Sequence, residues 1–393
     1  MTPANSDTLW TRAFVLLCIV QFLGYAQHFV LQPTLPIYVT HLGATPFVVG
    51  LVMASFAATS MILRPLVGYW SDRWSEAGVM TSGLLIQGAS VLLCYLPFVA
   101  TTMIANSCRG VGWASVNSGG YALLAQSAPA ARRGEASGYY SGAQGSATIL
   151  LPALALWLID APFGGFHVVF AVSMSIAVTG AALGLLLRDR AVSSARQQRN
   201  ALAGPWWREI IRIPDKDILL AAGLLFALHV SLPAVAGFLV LYARQLGIEH
   251  FGWYYVASGA TSLIARPLLG QLSDKIGRGA AIGAGFILEA AAFCVVLNAT
   301  TLGGMIVSGM LYMTGSSMGT AATLALALQH ANPERRGQVI ATYSMAYPLS
   351  AGVGSLLAGS AIQIAGYSWM FIFIALLNIP GLWITWKNRA SLQ

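Results

Sequence analysis

The side chains of this sequence that could do chemistry are few, and they stand isolated inside long apolar runs. Arg109 is the first. A guanidinium in such a run is costly, and it usually faces a polar interior, water or an anion. Arg109, Trp113 and Asn117 recur every four residues, so on a helix they share one face. That face can bind a solute or pass a proton; the plainer alternative is an arginine snorkelling to a lipid phosphate. Glu289 is the only carboxylate deep within any apolar run. Burial penalises its charged form unless a cation is near, which suits a proton carrier. It can equally be a neutral group hydrogen-bonded between helices. His28 and His229 add imidazoles, which change charge near neutral pH, although an interior histidine is as readily a satisfied hydrogen-bonder. Gln27 and Gln32 add polarity around His28, and Tyr139, Tyr140, Gln144, Tyr343 and Tyr347 gather in two further runs. They are either packing or the wall of a pocket for an amphipathic organic molecule.

The sequence holds no metalloprotease helix motif, no Ser/His/Asp cluster, no phosphate-binding loop and no paired-cysteine motif. We therefore expect no enzyme activity, no cofactor and no metal. Cys18, Cys94, Cys108 and Cys294 all fall in apolar runs and read as small packing residues.

What must position these groups follows from composition. Of 393 residues 57% are apolar and 9% charged, against about 25% charged in a soluble domain. Such a chain cannot cover its own surface in water, so most of it lies in lipid. A crossing helix needs about 20 apolar residues. Runs fall at about 11–39, 46–70, 79–99, 101–126, 135–158 and 165–187, then at 216–245, 249–273, 279–299, 301–329, 338–362 and 367–387. These predict twelve helices in two groups of six. The domains would be 1–187 and 218–393, joined by a polar linker over 188–217 whose Pro205-Trp206-Trp207 rests on the membrane surface.

Lys and Arg set orientation. Arg12, Arg73, Arg132, Arg133, seven linker cations, Lys275, Arg278, Arg335, Arg336, Lys387 and Arg389 fall on one side, while Arg244 falls on the other. Both termini and the linker are thus expected in the cytoplasm, in a cytoplasmic (inner) membrane. This bias explains the net charge of +8 without a nucleic-acid partner. The first apolar run is too long, and lacks a small-residue cleavage site, to be a removed signal.

The chain also repeats itself. Ile62-Leu63-Arg64-Pro65-Leu66-Val67-Gly68-Tyr69-Trp70-Ser71-Asp72-Arg73 aligns with the stretch from Ile264 to Lys275 at an offset of 202 residues. Arg132-Arg133-Gly134 recurs at Arg335-Arg336-Gly337, and Tyr38, Leu42 and Gly43 recur at Tyr242, Leu246 and Gly247. Six helices per repeat is an even number, so both halves enter from the same side as parallel repeats. Two such bundles can enclose a midplane cavity and rock about it.

On these residues the chain resembles the major facilitator superfamily over essentially its whole length. The loop pattern Gly-x-x-x-Asp-Arg-x-Gly-Arg appears as Gly68 to Ser75 without its later Gly and Arg, and more fully as Gly270 to Arg278. Leu35-Pro36-Ile37-Tyr38 and the Arg-Pro before each Gly look most like the twelve-helix efflux-type, drug:proton antiporter-like branch. The resemblance implies an all-α fold of two parallel-repeated six-helix bundles. It implies that Gly68, Asp72 and Arg73 help latch an outward-open state, Gly68 by permitting close helix approach. Gly270, Asp274, Lys275 and Arg278 would be a weaker counterpart. Arg109-Gly110-Val111-Gly112-Trp113 matches the family's fourth-helix Arg motif only partly. Leu151-Pro152-Ala153 keeps the Pro of the antiporter motif and loses its glycines, and the first helix has no acid.

The expected function is therefore secondary active transport of a small organic molecule by alternating access. Proton-coupled efflux of a drug, siderophore or metabolite leads, and a proton-coupled importer or facilitator of a polar or anionic solute, with Arg109 as the anion contact, is the alternative. The partners would be that solute, protons and the lipid bilayer, and the two-bundle design works as a monomer.

Overall fold

The structure, a computed structural model, describes residues 9–129, 132–187, 216–329 and 336–388. Among them the chain is helical almost throughout and has no strand. Six crossings come first: α1 (Arg12–His41), α2 (Pro46–Arg73), α3 (Glu76–Val91, prolonged by a 3-10 turn at Leu92–Tyr95), α4 (Val99–Ser127), α5 (Arg133–Asp160) and α6 (Phe166–Gly184). The seventh is broken into α7 (Lys216–His229), a π-helical turn (Ala234–Phe238) and α8 (Leu239–Gln245). Then come α9 (Gly252–Ile276), α10 (Arg278–Asn298), α11 (Leu302–Gln329) and α12 (Arg336–Ser344). The last two are α13 (Ala346–Leu376), which leaves helical geometry at Gly366, and α14 (Asn378–Lys387).

Eight stretches are long and apolar enough to cross a bilayer by length and composition. One of them, Thr342–Lys387, is 46 residues long, about twice what one crossing needs, and it leaves helical geometry at Gly366, where φ is 84°. The helices α4, α9 and α11 are also long enough, at 29, 25 and 28 residues. Their small and hydroxyl-bearing residues lower their hydropathy, the composition expected of helices that face other helices and not lipid. The twelve expected crossings are thus present. The linker expected at 188–217 lies outside the described residues up to 215, and so does its Pro205-Trp206-Trp207 stretch.

Local chemistry explains the helix ends. The Thr11 hydroxyl accepts the Phe14 N–H at 3.2 Å and starts α1, and the Ser75 hydroxyl accepts the Gly78 N–H at 2.7 Å and starts α3. Pro46, the first residue of α2, needs no N–H there. After α1 and after α8 the chain turns on Gly43 (φ 83°) and Gly247 (φ 69°), the pair already matched by the repeat. A side chain is disfavoured at such dihedrals.

Packing obeys the same repeat. A Cβ on Gly83 would sit 2.7 Å from the Gly112 carbonyl, and one on Gly285 would sit 2.9 Å from the Gly315 carbonyl. Thus α3 lies against α4, and α10 against α11, backbone to backbone, as small residues allow in lipid, where little hydrophobic force draws helices together. The elements α1–α6 form one bundle and α7–α14 the other. They meet chiefly where α2 packs on α13 and α5 packs on α9, with α1 touching the π-helical turn.

Candidate functional site

The crevice between the bundles is the place where residues of both can act together, and its two ends differ. We call the end holding Gly43 and Gly247 the far face, and the end holding Arg73 and Lys275 the near face. Towards the far face the bundles touch through main chain. A Cβ on Gly50 would lie 2.4 Å from the Ser355 carbonyl, and one on Gly359 would lie 2.6 Å from the Pro46 carbonyl. Arg244 Nη2 donates to Asp160 Oδ1 at 2.7 Å, tying α8 to α5. Towards the near face the helices part. Arg64 Nη1 still donates to Ser344 Oγ at 3.2 Å across the gap. Beyond it, nothing lies within 4 Å of the space a Cβ would fill at Gly68, Gly138 or Gly270. The close helix approach expected at Gly68 is therefore not made in this state, because the bundles are apart at that end.

Arg109 sits in α4, ten residues or about 15 Å from its far end, and is 3% exposed. Its Nη1 donates to Asn106 Oδ1 at 2.6 Å and its Nη2 to the His28 carbonyl at 3.3 Å. Its Nε has no hydrogen-bond partner. Asn106 is fixed in turn by donating to the Val52 carbonyl at 2.7 Å. The guanidinium carbon lies 5.6 Å from the centre of the Phe56 ring. Beside it the His28 ring lies 4.3 Å from Trp113 and 4.9 Å from Phe56, tilted about 30° to each. The partners of Arg109 are all neutral. The result is a cation walled by flat rings and carrying unused donor capacity.

The expected grouping of Arg109 with Asn117 is not made. Asn117 accepts from the Tyr25 hydroxyl at 2.9 Å and donates to the Trp113 carbonyl, while Asn106, one turn towards the far face, takes the arginine. That i, i+3 spacing was readable in the sequence. Gln32 is half-buried on α1. Gln144 is buried, with its Oε1 3.5 Å from the Tyr121 hydroxyl.

In the second bundle His229 ends α7, with Nδ1 3.2 Å from the Leu225 carbonyl and its ring edge-on to Tyr347 at 4.7 Å. The near-symmetric histidines thus occupy corresponding helices but different surroundings. Tyr343 does not wall a pocket. It is buried in the core, its hydroxyl 2.9 Å from that of Thr323. Tyr140 is likewise fully buried, whereas Tyr139 is exposed and packs on Trp10. An aromatic run gives no sign of which flank of its helix meets core, crevice or lipid.

Glu289 is fully buried in α10. Its Oε2 is 3.1 Å from Ser231 Oγ, which is 2.9 Å from the Tyr312 hydroxyl of α11 and 2.9 Å from the Leu228 carbonyl. Ser231 stands in the break between α7 and the π-helical turn. Neither Ser231 nor Tyr312 was singled out from sequence; 58 and 23 residues separate them from the acid, and no local pattern joins them. Glu76 is a second buried carboxyl, 2% exposed. It lies in the first turn of α3, where the helix dipole favours negative charge, and Gln126 donates to it.

Of the loop residues, Arg73 lies over the Tyr69 ring at 4.8 Å, Lys275 is exposed, and Arg278 donates to Gln329 at the end of α11. The side chains of Asp72 and Asp274 lie outside the described set.

Comparison with known proteins agrees with this architecture. The family model of the Major Facilitator Superfamily matches residues 17–251 and again 219–391. An uncharacterized MFS-type transporter of Methanocaldococcus jannaschii is 22% identical over 392 residues, covering 95% of each chain. The staphylopine export protein of Staphylococcus aureus is 20% identical over 372 residues, 93% of each. The synaptic vesicular amine transporter of Bos taurus is 23% identical, but this chain spans only 64% of its length. Among solved structures, a POT family transporter in complex with a thioalcohol-conjugated peptide superposes with a TM-score of 0.80 at 13% identity, covering 97% of each chain. An inward-facing, unoccupied bacterial homologue of the lysosomal transporter Spinster gives 0.78 at 12% identity, also covering 97% of each.

Proposed function

Since this chain belongs to the major facilitator superfamily, whose members carry small solutes across membranes, we propose that it exports a small organic solute bearing an anionic group, by alternating access driven by inward proton flow. Arg109 carries the substrate reading. It is a buried guanidinium whose partners Asn106 and the His28 carbonyl are both neutral, and whose Nε is unused. A carboxylate or phosphate arriving beside it gains a charge-assisted hydrogen bond in a dry setting, where such bonds are strongest. The rings of Phe56, Trp113 and His28 would hold a flat apolar body next to that group. Export is the direction named for the staphylococcal relative.

In this reading the bundles are 1–187 and 218–393, and the linker 188–217 and both termini face the cytoplasm of an inner membrane. The near face is then the cytoplasmic one, and the structure is inward-open. One copy suffices, since the crevice lies between two bundles of the same chain. His28, Gln32, Gln144, His229 and Tyr347 contribute to the crevice wall. Closing the near face would bring Gly68, Asp72 and Arg73 up to α12 and α13 as a latch, with Gly270, Asp274, Lys275 and Arg278 as its counterpart.

The test is untargeted mass spectrometry of medium and cell extract from host cells with and without the gene. An anionic compound missing from the medium and raised inside the deletion strain supports export. A compound left unconsumed in the medium overturns the direction. Purified protein in liposomes then reports coupling: an imposed pH gradient should drive that compound uphill.

A further inference from the structure

Ser231 stands at the centre of a second polar cluster, in the bundle opposite Arg109. Its hydroxyl has one hydrogen and two lone pairs. Three groups stand within hydrogen-bond distance: the Leu228 carbonyl at 2.9 Å, the Tyr312 hydroxyl at 2.9 Å and Glu289 Oε2 at 3.1 Å. The carbonyl can only accept, so it takes the serine hydrogen. For all three contacts to hold together, the remaining two must then donate to Ser231 Oγ. Tyr312 can do so, and Glu289 can do so only when its carboxyl carries a proton. With that proton all three contacts are made at once. Without it, carboxylate and carbonyl compete for a single hydrogen, and a fully buried charge is left with no cation among the described side chains.

From this donor count we propose that Glu289 is the proton-binding site of the transporter, and that Ser231 reports its protonation to the break in the seventh crossing. The proposal rests on the proton-coupled reading above. Among the described side chains the titratable and hydroxyl groups facing the acid are few. They are Tyr312 on α11, Tyr254 on α9 beside Tyr312, and Ser231; His229, two residues earlier, is turned to the Leu225 carbonyl and Tyr347. Arg244, Lys275, Arg278 and Lys387 sit at the ends of their helices.

The break itself abuts the moving parts. The Val230 carbonyl would lie 2.1 Å from a Cβ on Gly354 of α13. One residue further on, the Ser355 carbonyl is the one that meets Gly50 of α2 in the far-face seal. A change in how Ser231 ties the break thus reaches the contact that holds the far face shut. Proton on Glu289 favours the state described here, near face open; proton loss favours the other.

The experiment needs no solute. Spin labels replace Trp74 and Ile340, exposed near-face residues of opposite bundles, in full-length protein lacking Cys18, Cys94, Cys108 and Cys294, reconstituted in nanodiscs. Electron–electron distances are read from acid to alkaline buffer. The wild-type background should pass from long to short distances as pH rises, its open-to-closed ratio changing about tenfold, as a one-unit difference in proton affinity between two states produces. Glu289→Gln keeps a donor towards Ser231 and should hold the long distance at every pH. Ser231→Ala should lose the pH response while remaining folded, and Tyr312→Phe serves if either variant misfolds. A pH response surviving in Glu289→Gln, or none in the wild-type background, overturns the proposal. A normal response in a protein whose solute transport ignores an imposed pH gradient would instead overturn the proton-coupled reading and leave the site standing.

Discussion

At mid-depth the N-terminal bundle buries Arg109 among neutral partners and aromatic rings, while the C-terminal bundle buries Glu289 among hydroxyls. The two bundles share a glycine-packed frame, with Gly83 on Gly112 in one and Gly285 on Gly315 in the other. Duplication therefore preserved the scaffold and let the chemistry diverge. A guanidinium keeps its charge around neutral pH, so it suits recognition of an anion. A carboxyl can shed its charge by taking a proton, so it suits a driving ion. Had the bundles stayed chemically alike, solute and proton would compete for equivalent groups.

The proposed division of labour is broken most directly at Arg109. Arg109→Ala should lower solute transport by about 100-fold in liposomes, since truncating one partner of a buried charge pair costs about 2–5 kcal/mol. Arg109→Lys should recover part of this, because it keeps charge and loses the planar fork. Equal activity in the alanine variant would remove recognition from the first bundle. Next comes Glu289→Gln. It should abolish uphill transport driven by a pH gradient while leaving solute binding, measured by calorimetry, within about threefold of wild type, a shift under 1 kcal/mol. Weakened binding would merge the two roles. Gly50→Val should open the far face, since even its Cβ meets the Ser355 carbonyl. Overpacking costs about 1–3 kcal/mol, and cysteine labelling from the far side of a reporter at position 56 should rise about tenfold. Smallest is Asp160→Asn, which removes a largely exposed ion pair with Arg244. Such pairs contribute about 0–1 kcal/mol, so transport should change less than fivefold.

Much of the frame was legible in the sequence because lipid constrains it. Apolar runs had to be helices, and the recurrence of Arg-Pro-Leu and Gly-x-x-Ser-Asp had to be a repeat. Arg109 and Glu289 were legible for the same reason, as polar exceptions to an apolar rule. Their partners were not. Asn106 shares a helix with Arg109 and follows from periodicity, but Ser231 and Tyr312 reach Glu289 from other helices. Tyr140 and Tyr343 went to the core because a membrane helix is apolar on every flank, which removes the amphipathic signal that sorts inside from outside in water.

The charge of Arg109 has an effect even when no solute is bound. A fixed positive charge repels every small cation that approaches it, hydronium included. The barrier to crossing in this conformation is the far-face seal at Gly50 and Gly359, and the arginine adds a charge barrier on the crevice side of it. Neutralising the arginine would therefore admit small cations to the crevice, while the far-face contacts of Gly50 and Gly359 would still keep the two sides apart.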